Sequence, residues 1–289
     1  MRAFRIAYDG RPFHGFQRQP DVPTVEDVLF DALRALSVLE NDAEDDADKP
    51  PGYAAAGRTD AGVSAVAQTV AFEAPDWLTP RALNSELPGS IRAWAAADVA
   101  DGFHATHDAN SRSYRYFLYA PTGSADAIDP DTIDPDTTGF DDDRARRALS
   151  RLSGRHDFHN LTPDDDGTER DLRLSGTREG RFFLVDATAG GFPREFVRRL
   201  ATLVRSVATG TSSVDRIDRV LGSESLSGPE GIAAAPPEPL LLRAVEYPDV
   251  EFEVDPEAAD RTRKAFIERQ RQGAVLDRVA GEVVDKMRE

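Results

Sequence analysis

Three short acid-rich windows carry the whole charge excess of this 289-residue chain, and the blocks between them must supply its cores. Residues 40–49 hold six acids and one lysine, residues 126–143 eight acids and no base, and residues 164–171 five acids and one arginine. Together they account for the formal net charge of −17 and leave the remainder neutral. All three are poor in apolar residues, and two Asp-Pro pairs interrupt the longest, so each reads as an exposed loop. An acid run can also cradle calcium, which takes six to eight oxygen ligands. The 126–143 window lacks the D-x-[DN]-x-[DN]-G order of a calcium loop, so a hydrated loop is preferred.

The basic residues are equally uneven. Only Lys49, Lys264 and Lys286 are lysines among 35 cationic side chains. An acid-rich, lysine-poor surface suits a protein that stays soluble in concentrated salt, because carboxylates aid solubility more than lysine does. Such acidity ordinarily argues against a nucleic-acid partner, since phosphate binding favours a basic face. The absence of cysteine excludes disulfides, thiolate zinc sites and a cysteine nucleophile. The first residues lack the apolar core of a signal peptide, and no apolar run approaches the ~20 residues of a membrane span. A soluble, cytoplasmic protein with no membrane partner is expected.

Hydrophobic periodicity gives the coarse structure. Phe4, Ile6 and Tyr8 alternate with Arg5 and Ala7, predicting a half-buried strand over 3–9. Thr24 can cap a helix over about 25–39, with Val25, Val28, Leu29, Ala32, Leu33 and Leu36 in one stripe. Strands are expected at 66–73, 91–99 and 113–120, with a short helix opening at Thr79-Pro80. A helix over 141–153 carries acids in its first turn and arginines later, as the helix dipole prefers. Strands near 171–178 and 181–188 outline a hairpin about Glu179-Gly180. Helices follow over about 193–208, ending at Gly210, and near 214–221. LLLRAVEYP reads as a last buried strand, and a charged, helical tail runs to Glu289, weakened at Gly273. Helices and strands mix in both halves, so the class is α+β.

No phosphate loop, dinucleotide fingerprint or nucleophile elbow is present. The pairs His104/His107 and His156/His159 have a spacing that could share a metal on a helix, but neither segment is helical in pattern. No metal is assigned. GRTDAGVSA (57–65) is the densest polar motif between apolar elements. Gly57 and Gly62 permit a tight loop and close approach of a ligand. Arg58, two residues before Asp60, places a guanidinium near a carboxylate and favours its ionised form. An ionised aspartate in a preorganised loop can act as a nucleophile, although R-x-D in a turn is commonly a structural pair. On the helix after residue 193, Arg194, Arg198 and Arg205 cluster opposite the apolar stripe. They can form a solvated face or hold phosphate or carboxylate.

Taken in order, these segments resemble the tRNA pseudouridine synthase A family across roughly residues 3–248. YDGRPFHGFQRQP resembles its opening strand and loop, with Phe16 where tryptophan is usual. TVEDVLFDAL, LNSELPGSIR, SRSYRYFLYA, GGFPREFVRRL and APPEPLLLRAVEYP follow in the family's order, and GRTDAGVSA is similar almost letter for letter. The resemblance implies conversion of uridine to pseudouridine in tRNA, at positions 38–40 of the anticodon stem-loop, without a cofactor. It makes Asp60 the nucleophile, attacking ribose or base. Arg58 and Arg198 would orient it, and Tyr114 would stack on the target base and relay a proton. Gly57, Thr59, Arg194 and Arg205 are expected among the substrate contacts.

The implied fold is the pseudouridine synthase fold. Two α/β, RNP-like halves, 1–120 and 121–250, form one mixed, mainly antiparallel sheet with a central cleft, in a homodimer. The departures are Thr106 where arginine is usual, Pro193 and Glu195 in the arginine-bearing segment, and a 251–289 extension with no placed counterpart. Two rivals remain, a non-catalytic RNA-binding α/β protein and a metal-dependent hydrolase using the histidine pairs.

Overall fold

A computed structural model describes residues 1–40, 49–121 and 139–287. The chain divides into two compact units. The first comprises Met1–Thr59, Ala65–Asp108 and Asp249–Glu289, and the second Asp60–Ser64 and Ala109–Pro248. These bounds differ from a division at 120 and 250. The aromatic strand after residue 110 groups with the second unit, and the C-terminal extension with the first. Both units are α+β. The calcium reading and most of the first two acidic windows lie outside the described residues.

The first unit opens with β1 (Arg2–Tyr8), α1 (Val25–Ala35), β2 (Ala54–Ala55), β3 (Ser64–Phe72), α2 (Pro80–Leu83) and β4 (Ile91–Asp98). Strand β1 lies between β3 and β4, antiparallel to both. It is buried on both faces rather than half-buried. Arg5 is accommodated because its Nη1 donates to Thr69 Oγ1 at 2.9 Å and its guanidinium lies 4.1 Å from the centroid of the Phe252 ring. Thr24 caps α1 in a reciprocal capping box with Asp27, a device that stabilises by about 1 kcal/mol. Of the anticipated stripe, Val25, Leu29, Ala32 and Leu33 are buried, joined by Phe30.

The second unit contains β5 (Ser111–Tyr119), α3 (Asp142–Leu152), β6 (Gly154–Asp157), β7 (Glu169–Glu179), β8 (Phe182–Ala189), α4 (Phe196–Thr209), α5 (Asp215–Val220) and β9 (Leu240–Glu246). Its strands run β9-β5-β8-β7-β6, each pair antiparallel. The third acidic window is only partly loop, since Glu169 and Asp171 fall within β7. Helix α4 buries Phe196, Val197, Leu200, Leu203, Val204 and Val207 in the core of this unit. It begins three residues later than its pattern predicts. Glu195 takes a left-handed φ of 59° before the first turn, and Gly210 closes the helix with φ 78°.

The chain then returns to the first unit with β10 (Glu253–Val254) on the edge of β4 and α6 (Pro256–Lys286). Helix α6 is continuous through Gly273 for 31 residues, so the anticipated weak point does not break it. Asp255 caps its start, accepting from the N–H groups of Glu257 and Ala258, and pairs one turn apart run along its surface. These offset the ~1 kcal/mol cost of a mid-helix glycine.

Candidate active site

The GRTDAGVSA motif is fixed at each end by different means. Gly57, Arg58 and Thr59 belong to the first unit. The carbonyl of Gly57 accepts from Gln68 Nε2 at 2.8 Å. Thr59 is buried, its hydroxyl 2.7 Å from that of Tyr8, and its carbonyl accepts the Phe16 N–H at 3.1 Å. Phe16 is itself buried, with its ring centroid 6.0 Å from that of Tyr8, so phenylalanine fills the place where tryptophan is usual in the family. The Thr59 side chain is therefore committed to anchoring the loop. Arg58 is exposed and has no hydrogen-bond or ion-pair partner among the described residues.

Asp60 begins the second unit's share of the motif. Its carbonyl accepts the Val63 N–H at 3.1 Å, closing a tight turn. Gly62 has φ +81°, a conformation that favours glycine, and a Cβ there would crowd Pro237 Cγ at 3.0 Å. The Asp60 carboxylate is 32% exposed and pairs with Arg198 Nη1 at 3.1 Å. The R-x-D spacing pointed to Arg58 for this ion pair; Arg198 supplies it. A loop that closes on itself does not carry the side-chain alternation of a strand, so two residues of spacing do not guarantee one face.

Arg198 is held from the other side as well. Its Nε donates to the Ala235 carbonyl at 2.7 Å, while the Ala235 N–H donates to the Arg198 carbonyl at 3.2 Å. Tyr116 Oη donates to the next carbonyl, that of Pro236, at 2.9 Å. Ala235–Pro237 is therefore clamped by Arg198 and Tyr116 and packs against Gly62. Glu195 and Arg199 continue the same device. Arg199 reaches Glu195 through Nη2 at 2.7 Å and the Ile232 carbonyl through Nη1 at 2.7 Å. The unusual Glu195 thus has a partner one turn along.

Of the other two arginines of the expected cluster, Arg194 is drawn to another partner, while Arg205 acts on the same phenol as Arg198. Arg194 precedes α4 and binds Asp164, its N–H donating to the carboxylate at 2.8 Å. Arg205 lies close enough to Tyr116 for its charge to act on that phenol. On β5 the inward face carries Arg112, Tyr114, Tyr116 and Leu118 at every second position. Tyr114 is half-buried, its ring edge-on to Phe192 at 5.2 Å between centroids. Burial pushes its phenol up to about 12; the Arg112 charge opposes this and the Asp60 charge adds to it. Burial also pushes Tyr116 up to about 12, with Arg198 and Arg205 opposing. Both phenols therefore stay protonated near neutral pH.

Sequence reasoning missed Tyr116 and the Ala235–Pro237 segment. The period-two pattern of RSYRYFL could have signalled Tyr116, because it shares the inward face of Tyr114. Nothing local signals the partners of residues 235–236, which lie 37 and 120 positions away.

The histidines do not gather. The rings of His104 and His107 lie 4.2 Å apart between centroids, tilted by 37°, while His156 lies near the Ser153 carbonyl and His159 near Asp157. No group of three or more His, Asp or Glu placed to hold a metal occurs among the described residues. Thr106, where the family usually has arginine, donates from Oγ1 to the Ala55 carbonyl. No helix among the described residues is long and apolar enough to cross a membrane.

Comparison with known proteins agrees with the resemblance. A tRNA pseudouridine synthase profile matches residues 148–248. The tRNA pseudouridine synthase A of Natronomonas pharaonis is 60% identical over 281 residues, covering 97% of this chain and 98% of that protein. That of Haloarcula marismortui is 52% identical over 285 residues, covering 99% of each. That of Methanothrix thermoacetophila is 34% identical over 292 residues, covering 99% of this chain and 98% of that protein. Matches of this coverage extend past residue 250, so the C-terminal extension has counterparts. The first two organisms are halophilic archaea, in keeping with the acid-rich, lysine-poor composition. By identity and coverage together, the chain belongs to the tRNA pseudouridine synthase A family.

Proposed function

We propose that this chain isomerises uridine to pseudouridine in tRNA, at positions 38–40 of the anticodon stem-loop, with Asp60 as the nucleophile. The observation that carries the reading is the Asp60–Arg198 ion pair, with the ring of Tyr114 within electrostatic reach of the same carboxylate. A fixed guanidinium holds a carboxylate in one orientation, which is what attack on ribose C1′ or uracil C6 requires. The N1–C1′ bond breaks, the uracil turns within the site, and a C5–C1′ bond forms. N1 gains a proton and C5 loses one, so the reaction is redox-neutral and needs no cofactor.

Tyr114 stacks on the uracil. Its phenol, with a pKa of about 12, serves as a donor and in relay rather than as a standing base. Extruding the target nucleotide costs a few kcal/mol, offset by stacking and polar contacts in the site. Gly57, Arg58, Arg194 and Arg205 are assigned to the surrounding RNA, and Thr59 to holding the loop that presents Asp60. Membership of a catalytic family, together with an ion-paired aspartate in the family's motif, favours catalysis over an RNA-binding role alone. The enzyme is assigned to the cytoplasm, where tRNA is modified, and to a homodimer.

The test is to incubate the purified protein with unmodified tRNA transcripts in molar KCl and map pseudouridine chemically. Product confined to 38–40 is expected. Product at other uridines would move the assignment, and release of free uracil without product would defeat it. Light scattering in the same buffer tests the dimer.

A further inference from the structure

The first unit contains a cluster of arginines that the catalytic reading does not use. Residues 261–271 (RTRKAFIERQR), in the first half of α6, hold five bases and one acid. Arg263 and Lys264 pair with Asp260, and Arg271 with Glu268, which leaves Arg261 and Arg269 to carboxylates shared with other arginines. Asp9 is shared between Arg11 at 2.7 Å and Arg269 at 3.2 Å. Glu257 is shared between Arg81 at 2.7 Å and Arg261 at 2.5 Å. Asp255, near Arg81, caps the helix. Arg92 of β4 pairs with no carboxylate among the described residues. Its Nη1 donates to the carbonyls of Asn84 and Leu87, at 2.9 and 3.1 Å, and its Nε is buried with no hydrogen-bond partner. Five guanidiniums thus share two carboxylates.

Arg92 is half-buried, and the charges of Arg261 and Arg269 add to burial in holding it below the usual arginine range. A partly desolvated cation beside two like charges is unfavourable unless an anion completes the set. Arg261 and Arg269 stand eight residues apart on one helix, about 12 Å at 1.5 Å per residue, with small Ala265 between them. That spacing makes a line of positive charge, which fits a chain of phosphates better than a single ion. Arginine is suited to the task because its planar fork binds phosphate in bidentate fashion.

We propose that Arg92, Arg261 and Arg269, flanked by Arg11 and Arg81, form a backbone-binding site for tRNA that takes phosphodiesters other than that of the target nucleotide. The inference rests on the tRNA reading above and deepens it by assigning the C-terminal extension a share in substrate binding. Phosphate contacts position an RNA without reading its sequence, so the site contributes to affinity and register and not to the chemical step.

The double substitution Arg261→Gln/Arg269→Gln tests this, measured by fluorescence anisotropy with labelled tRNA and by single-turnover rate at saturating enzyme. The expected result is affinity weaker by about ten-fold, with an unchanged rate at saturation. Because Arg269 also pairs with Asp9, Arg261→Gln alone is the second variant, with a smaller loss expected and native circular dichroism. Arg278→Gln, on the exposed second half of α6, is the control and leaves affinity unchanged. Wild-type affinity in both test variants overturns the proposal. So does a lost thermal stabilisation by inorganic phosphate with tRNA binding intact, which would mark a free-anion site. If the wild type binds tRNA but forms no pseudouridine, the catalytic reading fails while the binding result still judges this one.

Discussion

The two arginine-rich helices, α4 and α6, use the same side chain for different purposes. On α4, Arg198 and Arg199 are each held by a carboxylate and a backbone carbonyl, and the helix beneath them is packed into its unit's core. On α6 only Ala258 is buried, and Arg261 and Arg269 share their carboxylates with Arg81 and Arg11. A guanidinium fixed at both ends holds another group still, as a nucleophile requires. A guanidinium with too little counter-charge attracts anions from outside. In a protein of net charge −17, position and pairing of arginine carry the functional information, and the total does not.

The comparison is open to breakage first at α4. Arg198→Ala removes the guanidinium from Asp60 and from the Ala235 carbonyl, and turnover is expected to fall by about 10²–10³, the scale of losing one preorganised electrostatic partner. tRNA affinity should hardly move. Arg198→Lys keeps the charge but cannot make both contacts, so it should fall between the two. An equal loss of affinity in either variant would make Arg198 a binding residue like those of α6, and the contrast would collapse.

A middle-sized effect concerns pH. The hydrogen-bonded guanidinium of Arg11 holds the Asp9 carboxyl below the usual range, against the opposing effect of burial, and Arg269 of α6 adds to the lowering. A depressed carboxylate contributes stability that is fully present above its unfolded value of about 3.9 and is lost as pH falls through the folded value. Thermal stability should therefore decline below about pH 4, and Asp9→Asn should flatten part of that decline. An identical acid limb in the variant would show that the pairs of Asp9 with Arg11 and Arg269 add nothing to stability.

The smallest effect is expected at Gly273, exposed in α6 with open space where a Cβ would stand. Gly273→Ala should stabilise by up to about 1 kcal/mol, read as a raised Tm, with activity unchanged. A loss of tRNA binding would show that the second half of α6 also takes part in recognition.

Much of the scaffold was legible because its signals are local. Thr24 and Asp27 mark the start of α1, Gly210 marks the end of α4, and alternation marks β5. Strands β2, β6 and β10, of two to four residues, were not legible, because such short runs carry no period. Their hydrogen bonds come from the neighbours they meet. Burial of Arg5 escaped for the same reason, since Phe252 and Thr69 cover it from far along the chain. Within the site, the resemblance pointed to Asp60, Tyr114 and Arg198, and the fold brings Asp60 and Arg198 together. Spacing misassigned the ion pair to Arg58, and only the fold reveals that Tyr116 and Arg198 together clamp residues 235–237.

The central claim is that Asp60, held by Arg198, performs the isomerisation. Asp60→Asn keeps the size of the side chain and removes its charge, and it should be compared with wild type in single-turnover reactions at saturating enzyme, with tRNA affinity measured in parallel. The account predicts loss of pseudouridine formation to below detection with affinity within a few-fold of wild type. Pseudouridine formed by Asp60→Asn at a rate near that of wild type would contradict it.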